Sequence, residues 1–543
     1  MPVVNVTTDR LKKFVPRVKM DKVLDILPFV ALDIEGVDND IIRVEYNPNR
    51  PDFSSDYGIA RALRGLLGIE TGMPKFKIAG KSGHAVRVEQ QVKKLRPYIV
   101  ALVAKNGKLD DETIKQLIAM QEDLHNGVGR RRKKASVGIH NLDAIQFPVT
   151  YRAVDGGYSF VPLGESSSKT IEQILKESET GKQYGHILSK FDRYPAIIDS
   201  AGTTLSFPPI INGDATKVDT KCRSLFVEVT ATDQKAAEDM LAIIAVTLHD
   251  AGFEIRTVTV GSKETPQMRP SQIAVDVGYI NSILGLELDI KQAITCLRKS
   301  RLDAKARGYK ITCTVPRYRT DITHPIDIAE EVAIGYGIYN LEPTFPASTT
   351  AGQKNLLSTY FDAAREAMTG LGMLESLNFS LTSKEVQYDS FGITAGDMLS
   401  VDGSKSIEHE ILRESLVPSL LQSLSRNVHE EYPQRLFEIG KAFRKNGTIV
   451  ESWNIAAVVA HGEAGYTEIK SAMQALLRTC FGKDATTKAA ESPFFMAGRC
   501  AEVIVDGKVV GTIGEVTPLA LENFKLRVPV AGFEINLSAL TGA

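Results

Sequence analysis

Thr320-Asp-Ile-Thr-His-Pro-Ile-Asp-Ile-Ala-Glu-Glu-Val332 carries four carboxylates within the eleven residues from Asp321 to Glu331. Pro325 suits the first turn of a helix, where its missing N–H has no intrahelical partner, so a helix is expected from about residue 325 onward. Asp327, Glu330 and Glu331 then stand at i, i+3 and i+4 on one face, and Asp321 reaches that face from the preceding loop. Four converging like charges are costly unless a cation offsets them. Carboxylates without His or Cys ligands suit a hard cation, Mg²⁺ above all. The competing reading is a solvated helix start whose acids complement the dipole, and spacing by itself favours that one.

Upstream, residues 266–346 hold two short helical patterns and a hairpin pattern through Gly308, which together with the acidic segment predict a compact, winged-helix-like module. Residues 86–265 mix β-branched runs, Tyr98–Ala104 and Leu225–Thr230, with helical patterns near 110–122 and 234–252, as in an α/β domain. In residues 1–85 the string Asn47-Pro-Asn-Arg-Pro-Asp-Phe-Ser-Ser55 forbids regular structure. A helix follows it, with Ile59, Ala60, Leu63, Leu66 and Leu67 on one face and Gly68 as its stop. Residues 347–543 open with a helix at 355–370 and close with Ala501–Val505 and Val509–Ile513 around Asp506-Gly507, a strong hairpin signal. The expected fold class is α+β multidomain, ending in an antiparallel sheet flanked by helices.

The 543 residues exceed what one core supports. Lys and Arg (65) balance Asp and Glu (66), so any polyanion contact must be local. The densest basic run, Arg130-Arg-Arg-Lys-Lys134, reads equally as a phosphate contact or a solvated loop. Five cysteines with no CxxC pairing argue against a zinc ribbon or a disulfide framework and fit a reducing cytosol. No signal-peptide core and no apolar run of about 18 residues is visible, so a cytoplasmic location without membrane contact is expected.

The wider stretch Val315-Pro-Arg-Tyr-Arg-Thr-Asp-Ile-Thr-His-Pro-Ile-Asp-Ile-Ala-Glu-Glu-Val-Ala-Ile-Gly-Tyr-Gly-Ile338 closely resembles the signature of the phenylalanyl-tRNA synthetase β-subunit family, in its B5 domain. Tyr46-Asn-Pro-Asn-Arg-Pro-Asp-Phe-Ser-Ser-Asp-Tyr-Gly-Ile-Ala-Arg-Ala-Leu-Arg-Gly65 resembles that family's N-terminal domain, and Arg435-Leu-Phe-Glu-Ile-Gly-Lys-Ala-Phe443 its C-terminal, synthetase-like domain. Length and domain order resemble the archaeal and eukaryotic cytosolic form. The inserted oligonucleotide-binding and appended RNA-recognition domains of the longer bacterial form are not seen. The resemblance implies a B1-like domain at 1–85, a B3/B4 editing-like domain at 86–265, a B5 domain at 266–346 and a class II synthetase-like domain at 347–543. It also implies an α₂β₂ heterotetramer in which the α subunit binds ATP and attaches phenylalanine to tRNA(Phe). It turns the acidic segment into a Mg²⁺ site near the α junction, with Asp321, Asp327, Glu330 and Glu331 as ligands.

Class II activation needs arginines that clamp ATP phosphates, the second normally after a Gly-rich strand. Here that region reads Val528-Pro-Val-Ala-Gly-Phe-Glu-Ile-Asn-Leu-Ser-Ala-Leu540, with no Gly-rich run ending in Arg. No catalytic residue for aminoacylation is therefore expected in this chain, and Arg413, Arg435 and Arg444 read as structural or interfacial. The editing resemblance, to hydrolysis of tyrosine mischarged onto tRNA(Phe), places a pocket at Leu205–Asn212 and Phe226–Asp233. A second sieve is useful because an apolar pocket rejects an added hydroxyl only about a hundredfold. Glu228 is the candidate acceptor for the tyrosine hydroxyl, and Asn212, Thr230 and Thr232 the candidates to orient water or the ester carbonyl. Glu228 alternates with Val227 and Val229, so it also reads as the solvated side of a strand. No Ser-His-Asp arrangement is visible, which favours attack by water. His125, His140 and His186 are isolated and read as structural. Two rivals are a nucleic-acid-binding scaffold, from the winged-helix-like module and the basic run, and a free trans-acting deacylase.

Overall fold

Leu225–Ala231 is a strand in which every residue is buried, the mark of a strand covered on both faces. It belongs to a ten-stranded sheet in a computed structural model that describes residues 1–346, 350–404 and 406–542. Residue 347, where the fourth domain is expected to begin, lies outside the described residues. The chain divides into two units at Phe345/Pro346.

In the first unit the large sheet runs, in spatial order, Ile211–Asn212, Thr204–Phe207, Tyr194–Ile198, Val149–Val154, Lys81–Val88, Glu254–Val260, Tyr98–Lys105, Leu225–Ala231 and Ala135–Asn141, with Lys263–Thr265 added to Glu254–Val260. Lys81–Val88 runs parallel to both neighbours, and the other pairs are antiparallel. Helices Asp111–Asn126 and Gln234–Asp250 cover one face, where Leu117, Met120, Met240 and Ile244 meet Leu102, Val227 and Val229. Phe226 points the opposite way, into a second core with Ile99, Val103 and Tyr151.

The N-terminal residues form a three-stranded sheet, Val3–Thr7, Ile41–Tyr46 and Leu32–Asp38, with Ile41–Tyr46 in the middle. Helix Asp56–Leu66 buries Ile59, Ala60 and Leu63 against it, as the spacing predicts. Strands Ser271–Asp276, Asp303–Arg307 and Lys310–Val315 form another sheet, its hairpin turning at Gly308, with helices Val277–Leu284, Ile290–Lys299 and Pro325–Tyr336 against it.

The second unit is a seven-stranded sheet in the order Leu374–Glu375, Gln434–Asn446, Thr448–Ala460, Val530–Asn536, Lys508–Val516, Phe495–Val505 and Ala485–Ala489. It is antiparallel except for the edge strand Leu374–Glu375. Asp506 and Gly507 join two strands with φ of 50° and 76°, the left-handed pair that a tight hairpin turn requires. Leu356–Gly370 and Tyr466–Phe481 share one core with the sheet, and Val417–Arg426 belongs to another. The five cysteines are unpaired. No described helix is long and apolar enough to cross a membrane.

Candidate functional site

Ala135–Asn141 is the last strand of the large sheet, and a cavity of about 470 Å³ opens beside it, within the range of small-molecule sites. Register sets part of its floor: Ser136 lies opposite Thr230, Gly138 opposite Glu228 and His140 opposite Phe226. Residues two apart share a face, so Ser136, Gly138, His140 and Glu228 form one polar group. Ser206 and Asn212 reach it from the hairpin at the other end of the sheet's strand order, whose strands pair Ser206 with Asn212.

Glu228 is 2% exposed. Its Oε1 accepts from Ser206 Oγ at 3.1 Å, while Oε2 has no partner. His140 is fully buried. Its Nδ1 lies 2.9 Å from Thr216 Oγ1, and its Nε2 is unpartnered, 3.9 Å from Glu228 Oε1. A buried carboxylate oxygen and a ring nitrogen left open side by side are expensive to maintain and call for a polar group from outside. The solvated-strand reading of Glu228 fails because the side chain is buried, in a strand whose residues are buried on both faces. His140, read as structural from the sequence, belongs to the site. The only available signal was its two-residue spacing from Gly138 on a strand.

Thr230 and Thr232 do not line the cavity. Arg96 covers the first: its Nε donates to Thr230 Oγ1 at 3.0 Å and its Nη2 to Thr230 O at 2.8 Å and Ser136 Oγ at 3.3 Å. Burial pulls the Arg96 guanidinium down to about 10. Thr232 lies exposed beyond the strand end, donating to Lys134 O at 3.3 Å. Of the four candidates, the structure brings Asn212 and Glu228 together and leaves the two threonines out. The basic run is divided as well. Arg130, Arg131 and Lys133 are exposed, whereas Arg132 donates to Glu122 Oε1 at 2.7 Å and Ile210 O at 2.9 Å, lies 4.4 Å over the Tyr184 ring and walls the cavity. His125 also lines the cavity; its Nε2 accepts from Val137 N at 2.9 Å, and burial lowers its pKa. His186 makes a local contact to Gln183 O.

The acidic segment folds as expected at Pro325–Tyr336, but its carboxylates have protein partners. Asp327 Oδ2 accepts from the Thr323 and His324 amides, both at 2.7 Å, and so caps the helix. Arg319 grips Asp321 through two bonds, at 2.9 and 2.7 Å, and also pairs with Glu331. Burial opposes the charge on Arg319, yet Glu331 and Asp321 push its pKa well above the ordinary value. Glu330, on the exposed rim, is pushed up by partial desolvation and then by the charges of Glu331 and Asp321. The acids outnumber Arg319, and four oxygen-donor side chains suit a hard cation by chemistry. Their present geometry does not close on one: among the described residues no three His, Cys, Asp or Glu side chains converge as metal ligands.

In the second unit Arg413 is buried, pairing with Glu438 at 2.6 Å and donating to Lys441 O at 2.9 Å. Arg435 pairs with Glu468 at 3.0 Å. Glu534, on the strand where a class II clamp would be sought, accepts from Ser415, from the Leu416 amide at 3.1 Å and from Asn454 at 2.6 Å. These groups are satisfied internally. Around the sheet edge, Leu374, Leu377 and Phe379 are 69%, 86% and 77% exposed, and Ile407 is 81% exposed two residues from His409, whose ring meets that of Phe379.

A family model described as the tRNA synthetase B5 domain matches residues 273–338, and one described as the phenylalanyl tRNA synthetase beta chain CLM domain matches residues 341–537. The phenylalanine–tRNA ligase beta subunit of Archaeoglobus fulgidus is 41% identical over 551 residues, covering 99% of this chain and 98% of that one. That of Methanocaldococcus jannaschii is 37% identical over 554 residues, covering 99% and 100%. A solved N-terminal fragment of the phenylalanyl-tRNA synthetase beta subunit from Pyrococcus horikoshii matches with a TM-score of 0.60 at 32% identity, covering 62% of this chain and 99% of that fragment.

Proposed function

The chain belongs to the family of phenylalanine–tRNA ligase β subunits, and from that premise we propose that it supports charging by an α subunit and itself hydrolyses tyrosine mischarged onto tRNA(Phe). It works in the ligase complex of protein biosynthesis. The buried, half-partnered Glu228 facing the cavity carries the hydrolytic reading. A tyrosine side chain entering there donates its phenolic hydrogen to the carboxylate, whereas phenylalanine leaves the polar group unpaired and is disfavoured. Asn212 orients water or the ester carbonyl. Water attacks the carbonyl carbon, the acyl–oxygen bond to the tRNA ribose breaks, and the ribose oxygen takes up a proton as tyrosine leaves. The direct test is tyrosine release from tyrosyl-tRNA(Phe) by the wild-type complex; no release would sink the reading.

The synthetic chemistry is assigned to α within an α₂β₂ heterotetramer in the cytoplasm, with tRNA(Phe) as the shared substrate. Arg413 is engaged by Glu438, and Glu534 by Asn454 and the Leu416 amide, which supports the reading that no ATP clamp is formed by these residues. Mixing should decide it: this chain alone and α alone should fail to charge tRNA(Phe), and the two together should succeed. Activity from this chain alone would overturn the division of labour. The exposed Leu374, Leu377 and Phe379 are candidate contacts for a partner. Phe379→Lys should weaken α capture by about 1–2 kcal/mol, roughly tenfold, in a titration of one subunit with the other.

Mg²⁺ serves ATP use by the complex. For the acidic corner, the donor set supports Mg²⁺ more than its present geometry does. Asp321, Asp327, Glu330 and Glu331 would hold the ion, whose role there is to neutralise converging charge near the α junction. Glu330→Gln with Glu331→Gln should lower bound Mg²⁺ and weaken Mg²⁺-dependent assembly several-fold. Unchanged metal content in the purified complex would remove the ion from this corner.

A further inference from the structure

Three helices of the first unit end around a second cavity, of about 240 Å³. Arg61 and Arg64 stand in Asp56–Leu66, Asp250 closes Gln234–Asp250, and Arg301 follows Ile290–Lys299. Lys75 and Glu70 complete the charged lining, so that, besides His249, four cations face two anions. Helix C-termini carry partial negative charge, which lets the fold hold several cations in one place. Two positive charges are still left without a carboxylate.

Asp250 is taken up by Arg61, whose Nε donates to Oδ2 at 2.8 Å. Glu70 alone remains for two guanidiniums, its Oε2 lying 3.2 Å from Arg64 Nη2 and 3.4 Å from Arg301 Nη2. Arg61 Nη1, Arg64 Nε and Arg301 Nε have no hydrogen-bond partner. Arg61 and Arg301 are buried, so unmet donors there are costly unless a further acceptor arrives. Arg301 is also placed at a cost. Its φ of 63° is left-handed, a conformation that L-residues resist. A Cβ on Gly65 would come within 2.9 and 2.7 Å of the Arg301 Cγ and Cδ, and 2.2 Å from Lys299 O, so glycine there makes room for the arginine.

We propose that this cavity binds a small phosphate-class dianion, which displaces the Glu70 carboxylate from between Arg64 and Arg301. Guanidinium forks match phosphate oxygens, and a dianion brings twice the charge of the carboxylate it replaces. Glu70 and Arg64 are both half-exposed, so the ion pair between them yields easily. Arg64 is then free to turn its Nε and Nη2 together onto the anion. The cavity is smaller than the about 300–1,000 Å³ of drug-sized sites, which suits phosphate or pyrophosphate without a nucleoside. Two sources supply that chemistry: free phosphate, and the pyrophosphate that activation of an amino acid by ATP releases.

The experiment titrates the assembled α–β complex calorimetrically with inorganic phosphate and, separately, with pyrophosphate, at an ionic strength held constant with chloride. Wild type should bind saturably. Arg64→Gln should weaken that binding about tenfold, and Glu70→Gln, which removes the competing charge, should tighten it about tenfold. Both substituted side chains are half-exposed, so melting temperatures should stay close to wild type. A tightening with Glu70→Gln is the result that a purely structural ion-pair network would not give. Whichever of the two anions shows the larger variant-dependent change is the source the site serves. Absence of saturable binding, or saturable binding that neither variant alters, overturns the proposal, as does weaker binding by Glu70→Gln. Weaker tRNA(Phe) binding by Arg64→Gln without saturable phosphate binding overturns it in favour of a polynucleotide backbone.

Discussion

Glu228→Ala in the α–β complex should slow tyrosine release from tyrosyl-tRNA(Phe) by roughly 30- to 150-fold while leaving phenylalanine charging intact. The magnitude follows from losing one charge-assisted hydrogen bond in a buried site, about 2–3 kcal/mol at about 1.4 kcal/mol per factor of ten. Stability should respond differently. Glu228 is buried, receives one bond from Ser206 and leaves Oε2 unpartnered, so the fold gains little from its charge. Its loss should leave the melting temperature unchanged or raise it, the trade-off expected where a side chain serves binding rather than folding. Glu228→Gln keeps the shape and loses the charge, and should fall between alanine and wild type. Wild-type deacylation by the alanine variant would displace the tyrosine contact from this carboxylate.

The opposite pattern is expected at Arg319. Its guanidinium is 2% exposed and joins Asp321 to Glu331. Arg319→Met leaves two carboxylates facing each other with their shared counter-charge removed, a loss of about 3–5 kcal/mol. Denaturant melts of the chain should register it as a lower midpoint. Arg319→Lys should recover only part, since an ammonium cannot reproduce the two-bond grip on Asp321 while also reaching Glu331. Added Mg²⁺ should stabilise the methionine variant more than wild type, because Glu331 then lacks its cation and Asp321 keeps only Arg50, 3.9 Å away. A methionine variant as stable as wild type would show that the pairing contributes nothing.

Local physics made several elements legible. Pro325 begins its helix because a proline has no amide to lose there, and Asp506-Gly507 turns its hairpin because the turn needs two positive φ values. Leu356–Gly370 and Asp56–Leu66 follow their apolar spacing, each burying the periodic face. Short strands such as Thr204–Phe207 and Ile211–Asn212 escaped notice, since two to four residues carry no usable period. Yet they deliver Ser206 and Asn212 to the cavity.

By itself, then, the sequence determined the helix beneath the four acids and, through long stretches of resemblance, the family. Tertiary structure decided the charges and the spaces. Asp321 and Glu331 meet on Arg319 because a loop and a helix converge, and no i, i+4 count contains the arginine that comes between them. Glu228 alternates like the wet side of a strand, and only the packing of distant segments such as Ser206 over that face buries it. His140 and Gly138 became part of a site only through cross-strand register, a relation between residues about ninety positions apart that no local period encodes.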